Sequence, residues 1–580
     1  MEGLEITVLL GLAILAGTAL APRLRVATPL LLVVIGLLLG FVPALREIQL
    51  PPETVLLLFL PVMLFWESLT TSLRAIRRSL RYIVPMSTLL VVASAFAVAG
   101  IASAFGMPWP VALLLGAAVA PPDATAVAAL GRLLPQRMFM KLKAESLTND
   151  GTALVLYAIA LSLALGENVT GWSVTATVLI SYLGGAAAGI AVAALAWLAL
   201  RRSRSTIVIN VALLLVPFTA FLLAELVHAS GVLAVVFAGL IVAWMLPRIT
   251  TAASRRQAVA AWPFGVYLLN GALFVLIGLE VQYVVHDIAA RQIGALVLVT
   301  IAAWLALLVV RYLFQLLFAP FSRPRGLPAG APNRGGGNRG RIVSTVAGFR
   351  GAVSLAIALS VPTTVGGDGL DGRDAVVFVS GGVILLSLLV QGPLLPAVLR
   401  WARLPDDGMA EDEYELAQRA ISGAALAALD DLAAEHGISD GVRDRARREG
   451  YEVLELANAR AYARQAASDD ARIAELESMI AGPDAPDTGP APQTRYVVPS
   501  AASAPSLEML ATSDGIDLTQ RSPIQRFEEA TRLKLALLER KREVLLRMRR
   551  GGTIDDLVER RVEAHLDLEE VRLRGVEQLD

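Results

Sequence analysis

Thirteen apolar stretches follow one another between residues 4 and 400: 4–21, 27–45, 53–70, 82–105, 109–131, 144–165, 172–200, 205–227, 230–247, 260–280, 292–319, 343–361 and 374–400. Each has roughly the length needed to cross about 30 Å of hydrocarbon. Lipid offers no partner for backbone N–H and C=O groups, so a chain built this way spans the bilayer as helices. With 55% hydrophobic and only 18% charged residues, the 580-residue sequence is too apolar for a water-soluble protein of this size. Beyond residue 405 the composition turns to Arg, Glu, Asp and Ala. The expected architecture is all-α: a polytopic membrane protein of about thirteen transmembrane helices over 1–405, and a cytosolic helical tail over 406–580 with a disordered Pro/Ala/Ser-rich segment near 482–506.

The loops carry an orientation signal. Positive charge collects in every second loop: Arg23 and Arg25; Arg74, Arg77, Arg78 and Arg81; Arg132, Arg137, Lys141 and Lys143; Arg201, Arg202 and Arg204; Arg248, Arg255 and Arg256; and the Arg-rich run from Arg323 to Arg341. The intervening loops hold only Arg46, Arg291 and Arg373. Lys and Arg mark cytoplasmic loops, which places the N-terminus outside and the C-terminus inside. Glu2 and Glu5 precede the first apolar run, where a signal peptide carries positive charge, so that run reads as an uncleaved span. An odd span count suits two six-helix halves of inverted topology joined by one linker span. The fifth span of each half is interrupted: Ala120-Pro121-Pro122-Asp123 breaks one, and Gly348-Phe349-Arg350-Gly351 breaks the other. Interrupted helices at corresponding positions point to a midplane ion site.

Charged residues within the apolar runs are Glu67, Asp123, Glu145, Asp150, Glu225, Arg311 and Arg350. Ionised groups at depth are costly and mark function. Ser146, Asn149 and Asp150 share one helix face, and with Asp123 they offer only oxygen ligands, as a hard cation requires. Arg350 stays charged and needs an acid to neutralise it, which leaves the other acids free to titrate. Arg311 either snorkels or forms a structural pair. Glu67 and Glu225 lie near span ends.

Other chemistries are excluded. The chain has no cysteine, and its four histidines, His228, His286, His436 and His565, are scattered, so a thiolate, Fe–S or zinc centre is not expected. None of the four lysines sits in a phosphate-binding loop, so no nucleotide site and no ATP-driven transport is expected. The net charge of zero gives no reason to expect nucleic acid. No cofactor is expected. A membrane enzyme lacks a nucleophile–base set here. A cation channel would more often repeat one pore motif around an axis.

The run Glu145-Ser146-Leu-Thr-Asn149-Asp150-Gly-Thr-Ala-Leu-Val-Leu-Tyr157 closely resembles the sixth-helix motif of bacterial Na⁺/H⁺ exchangers of the monovalent cation:proton antiporter-1 family. Ala120-Pro-Pro-Asp123-Ala-Thr125-Ala-Val127 resembles that family's broken fifth helix, and Asn270–Leu279 and Gly348–Leu355 resemble two further signatures. The likeness covers about residues 5–405. It implies that Asp150 takes either a cation or a proton. Ser146, Asn149 and Asp123 would complete the ion shell, Glu67 would lie near the ion, and Glu145 would pair with Arg350. Many members have Thr-Asp-Pro where this chain has Pro122-Asp123-Ala124, so Thr125 or the backbone would replace the usual threonine. The Asn149-Asp150 pair implies electroneutral exchange, and the family implies a homodimer in the bacterial plasma membrane. The function expected is Na⁺/H⁺ antiport, with K⁺ or Li⁺ as alternative cargo.

Overall fold

The computed structural model describes residues 2–24, 26–42, 52–123, 134–288, 290–318, 337–362, 364–365, 368–369, 372–404, 409–481 and 523–574. The chain divides into two compact units, one formed by Met1–Gly408 and one mainly by Met409–Ile554 with Val558–Gln578. Thr125, much of the 321–341 loop and the 482–506 segment lie outside the described residues.

The first unit is all-helical apart from two-residue strands at Thr364–Val365 and Asp368–Gly369, which pair antiparallel. Its helices are α1 (Glu2–Leu24), α2 (Thr28–Leu39), α3 (Pro52–Leu69), α4 (Leu73–Ser87), α5 (Leu89–Ala104), α6 (Trp109–Val119) and α7 (Gln136–Ala164). They continue with α8 (Gly171–Leu179), α9 (Gly185–Leu200), α10 (Thr206–Leu226), α11 (Gly231–Ile249), α12 (Ala252–Asp287) and α13 (Ala290–Leu317). The last four are α14 (Asn338–Val346), α15 (Ala352–Leu359), α16 (Arg373–Leu386) and α17 (Gly392–Ala402). Single π turns, Ile180–Gly184 and Ser387–Gln391, join α8 to α9 and α16 to α17. Among the described residues, eight helical segments are long and apolar enough to cross a membrane, and four more are apolar but shorter. The interrupted pair α14–α15 lies at the twelfth apolar stretch, so helices, among the described residues, occupy each of the thirteen apolar stretches.

Helix starts follow local chemistry. Ser205, Ser230 and Thr251 each accept a hydrogen bond from the backbone N–H three residues on, which satisfies an otherwise orphaned donor at the first turns of α10, α11 and α12. In lipid, helix association relies on close packing rather than on hydrophobic expulsion, so small residues matter. The α2–α12 pair shows this. A Cβ on Gly36 would lie 2.0 Å from the Val275 carbonyl oxygen, and one on Gly278 would lie 2.1 Å from that of Val33. Only glycine permits this approach at either position.

The second unit is a helical bundle of α18 (Met409–Ala427), α19 (Leu429–Glu435), α20 (Asp440–Ala481), α21 (Pro523–Gly551) and α22 (Asp556–Arg574). Ala417, Ile421, Leu538, Leu545, Val562 and Leu566 are buried together in one cluster, and Leu429, Ala433, Val442 and Leu533 in another. Arg542 is gripped by three acids of α22, Glu563 at 2.8 Å, Asp567 at 2.7 Å and Glu570 at 2.5 Å. Arg561 makes a bidentate pair with Glu411 at 2.6 and 3.1 Å, and these hydrogen bonds hold the Glu411 carboxyl below its usual range.

Candidate cation site

The two interruptions meet. Pro121 and Pro122 have no N–H to donate, so α6 cannot continue past Val119. In an unbroken helix the Asp123 N–H would return to the Val119 carbonyl. Instead it donates across to the Phe349 carbonyl at 2.8 Å, inside the break between α14 and α15. One backbone hydrogen bond thus ties the two interrupted helices at their centres. Gly351 allows the crossing, since a Cβ there would lie 1.5 Å from Asp123 Oδ2. The Asp123 carboxylate therefore lies beside the first residues of α15, where the partial positive charge of a helix N-terminus favours an anion.

Arg350 occupies the same break. Its Nε donates to the Val119 carbonyl at 2.7 Å, its Nη2 to that of Ala120 at 3.2 Å and its Nη1 to that of Gly348 at 2.5 Å. The first two carbonyls are among those left without helical donors by the proline break. A guanidinium thereby caps the negative ends of two half-helices, α6 and α14. This overturns the expected Glu145–Arg350 pair. Glu145 instead accepts from Arg311 of α13, Nη1 to Oε1 at 2.5 Å and Nη2 to Oε2 at 3.1 Å, with both side chains at most 2% exposed. Arg311 Nε also donates to the Ser344 carbonyl near the end of α14 at 3.0 Å. The planar fork of Arg311 matches the carboxylate bidentately, whereas the donors of Arg350 go to backbone. The freed carbonyls at the fifth-helix break, expected to face an ion, thus face Arg350.

Of the other predicted residues, Asn149 is tied directly to this crossing. Asn149, fully buried on α7, donates from Nδ2 to the Pro122 carbonyl at 2.9 Å, which docks α7 against the break. Its Oδ1 is buried and accepts no hydrogen bond among the described residues. Asp123, Ser146 and Asp150 are all buried. Asp123 and Glu67 are the charged groups that act most strongly on Asp150, and Asp123 and Lys143 those that act on Glu67. Glu67 of α3, half-buried, thus joins Asp123 and Asp150 in one cluster of acids. Glu225 is placed elsewhere, on the last turn of α10 near His228. Among the described residues no group of three or more His, Cys, Asp or Glu side chains has the geometry of a tight metal centre. Lys143, a neighbour of Glu67, was not singled out from sequence, and Arg311 was singled out as a buried charge but not as the partner of Glu145. An arginine amid Val309, Val310 and Leu313 was the available signal for the second.

The profile of the sodium/hydrogen exchanger transmembrane family matches residues 10–401. The chain belongs to the sodium/hydrogen exchanger family. It is 38% identical over 579 residues to an uncharacterised Na⁺/H⁺ exchanger of Mycobacterium tuberculosis, covering 98% of this chain and 96% of that one. It is 31% identical over 378 residues to a Na⁺/H⁺ antiporter of Aphanothece halophytica, covering 64% and 68%. A sodium, potassium, lithium and rubidium/H⁺ antiporter of Bacillus pumilus is 29% identical over 416 residues, covering 67% and 60%. The fold is similar to that of the sodium proton antiporter MjNhaP1 of Methanocaldococcus jannaschii, with a TM-score of 0.53 at 19% identity over 69% of this chain and 99% of that one. This exchanger is accordingly a multi-pass membrane transporter of the cation/proton antiport class, not an enzyme.

Proposed function

We propose that this exchanger carries Na⁺ against H⁺, one for one, by competition of the two ions for Asp150. The observation that carries the reading is the acid cluster at the crossing. The groups acting most on Asp150 are the acids Asp123 and Glu67, while Glu145 has its own arginine and Arg350 is spent on carbonyls. A buried carboxylate with acids for neighbours needs a proton or a cation. Asp150, Asp123 and Glu67, with Ser146 and the unmatched Asn149 Oδ1, supply oxygen ligands suited to an alkali ion. Neither the protonated nor the cation-bound state leaves Asp150 as a bare charge at depth. The empty, ionised site does, and it is the state that does not cross. If only neutralised sites move, cation one way obliges a proton the other. The movement is displacement of one helical bundle against another, exposing the crossing to each side in turn.

In this reading the exchanger works in a bacterial plasma membrane as a homodimer with its N-terminus outside, as the family resemblance and the loop charges imply. The cation assignment rests on the family; the multi-cation antiporter of Bacillus pumilus makes K⁺, Li⁺ and Rb⁺ the comparisons to run. In proteoliposomes with a pH-sensitive dye, wild type is expected to collapse an imposed pH gradient when Na⁺ is added, and Asp150→Asn to do nothing while inserting normally. Undiminished exchange by Asp150→Asn would sink the mechanism.

A further inference from the structure

Lys143 lies in the third turn of α7, seven residues before Asp150 and on the same helix face, about 10 Å away along the axis. It is half-buried, and its Nζ donates to Thr70 Oγ1 at 2.6 Å, just past the end of α3. Thr70 is three residues beyond Glu67. The Thr70 hydroxyl bonds the Trp66 carbonyl at 2.8 Å, its backbone N–H bonds the same carbonyl at 3.0 Å, and the Thr71 hydroxyl bonds the Glu67 carbonyl at 2.6 Å. The Trp66 and Glu67 carbonyls near the end of α3 therefore have partners other than Lys143. Its ammonium acts on the Glu67 carboxylate.

We propose that Lys143 is a specificity-determining residue of transport: tethered through Thr70 at the Glu67 side of the acid cluster, its ammonium is a resident cation that weakens the hold of the cluster on the incoming alkali ion. The proposal rests on the antiport reading above. A fixed positive charge about 10 Å away repels a second cation, and at an effective dielectric constant of about 20 the effect on binding is roughly ten- to twentyfold. It also answers a physical difficulty. Several acids around one monovalent ion would bind it too tightly to release, and a permanent charge at one edge keeps the affinity low enough for turnover.

The test separates charge from hydrogen bond. Lys143→Gln keeps a donor for Thr70 and removes the charge; Lys143→Arg keeps both. In proteoliposomes, Lys143→Gln is expected to lower the half-saturating Na⁺ concentration about ten- to twentyfold, with a maximal rate equal to or below that of wild type. Lys143→Arg should stay close to wild type. An unchanged or higher half-saturating Na⁺ in Lys143→Gln overturns the proposal, as does an equal change in Lys143→Arg. Should Lys143→Gln not transport, the Na⁺ dependence of thermal unfolding in detergent reads the same affinity change, and an unshifted midpoint there overturns it too. Absence of exchange by wild type with every alkali cation would instead refute the antiport reading.

Discussion

At the scale of single residues, the membrane unit separates charges that hold the structure from charges available to an ion. Glu145 and Arg311 form a bidentate pair sealed from water. Removing one partner of such a pair leaves an uncompensated buried charge, at about 3–5 kcal/mol, whereas removing both leaves none. Glu145→Gln and Arg311→Met are each expected to lower the unfolding midpoint in detergent more than the double variant lowers it beyond either. Strictly additive losses would show that the two do not act as a pair. The residues of this pair stood out in the sequence as charges within apolar runs, but their partnership did not. Arg311 lies within the continuous helix α13 and Arg350 in the break between α14 and α15. Which of them meets Glu145 depends on how these helices pack against α6 and α7. Lys143 was hidden for another reason. It sits with Arg137 and Lys141 at the beginning of a span, where positive charge is explained by topology alone.

At the scale of elements, the two broken helices depend on each other. Proline opens α6 and glycine opens α14–α15, yet neither break satisfies itself. The Val119 and Ala120 carbonyls of one are filled by Arg350 of the other, and the Phe349 carbonyl by the Asp123 N–H. Gly351 is where the Asp123 carboxylate presses closest on the other break. Gly351→Ala would put a methyl group on the Asp123 carboxylate, so it is expected to abolish or severely slow transport with only modest loss of folded protein, since the helices on either side are retained. Wild-type exchange by Gly351→Ala, measured by dye dequenching, would mean that the crossing is looser than described. The breaks themselves were readable from the Pro-Pro-Asp and Gly-Phe-Arg-Gly runs. Their mutual hydrogen bonding was not, because residues 123 and 349 are 226 positions apart.

For the whole molecule, the sequence carries an unusual convenience: it has no cysteine, so any introduced thiol is a unique reporter of sidedness. Glu167, exposed between α7 and α8, and Arg204, exposed between α9 and α10, sit in loops assigned to opposite faces. Glu167→Cys should react with a membrane-impermeant maleimide on intact cells, and Arg204→Cys only in inverted vesicles. The reverse pattern would invert the topology, and labelling of both from one side would remove a span from the count. The tail unit is a bundle with its own apolar clusters and charge-locked faces, such as the three acids on Arg542. Its helical character follows from a composition rich in Ala, Arg, Glu and Leu, but that composition says nothing of what it regulates.

The amino-acid order alone showed a polytopic membrane chain of thirteen apolar stretches, where two helices are interrupted, and which oxygen-bearing side chains lie near the interruptions. Those outcomes depend on hydropathy, loop charge and proline and glycine chemistry, all local in the chain. Only the tertiary structure decided which arginine neutralises Glu145, that Arg350 is held by the ends of two half-helices, and that Glu67 and Lys143 stand together beside the acid cluster. Electrostatic partnership falls off with distance in space, and in a bundle of broken helices distance in space bears no fixed relation to distance along the sequence.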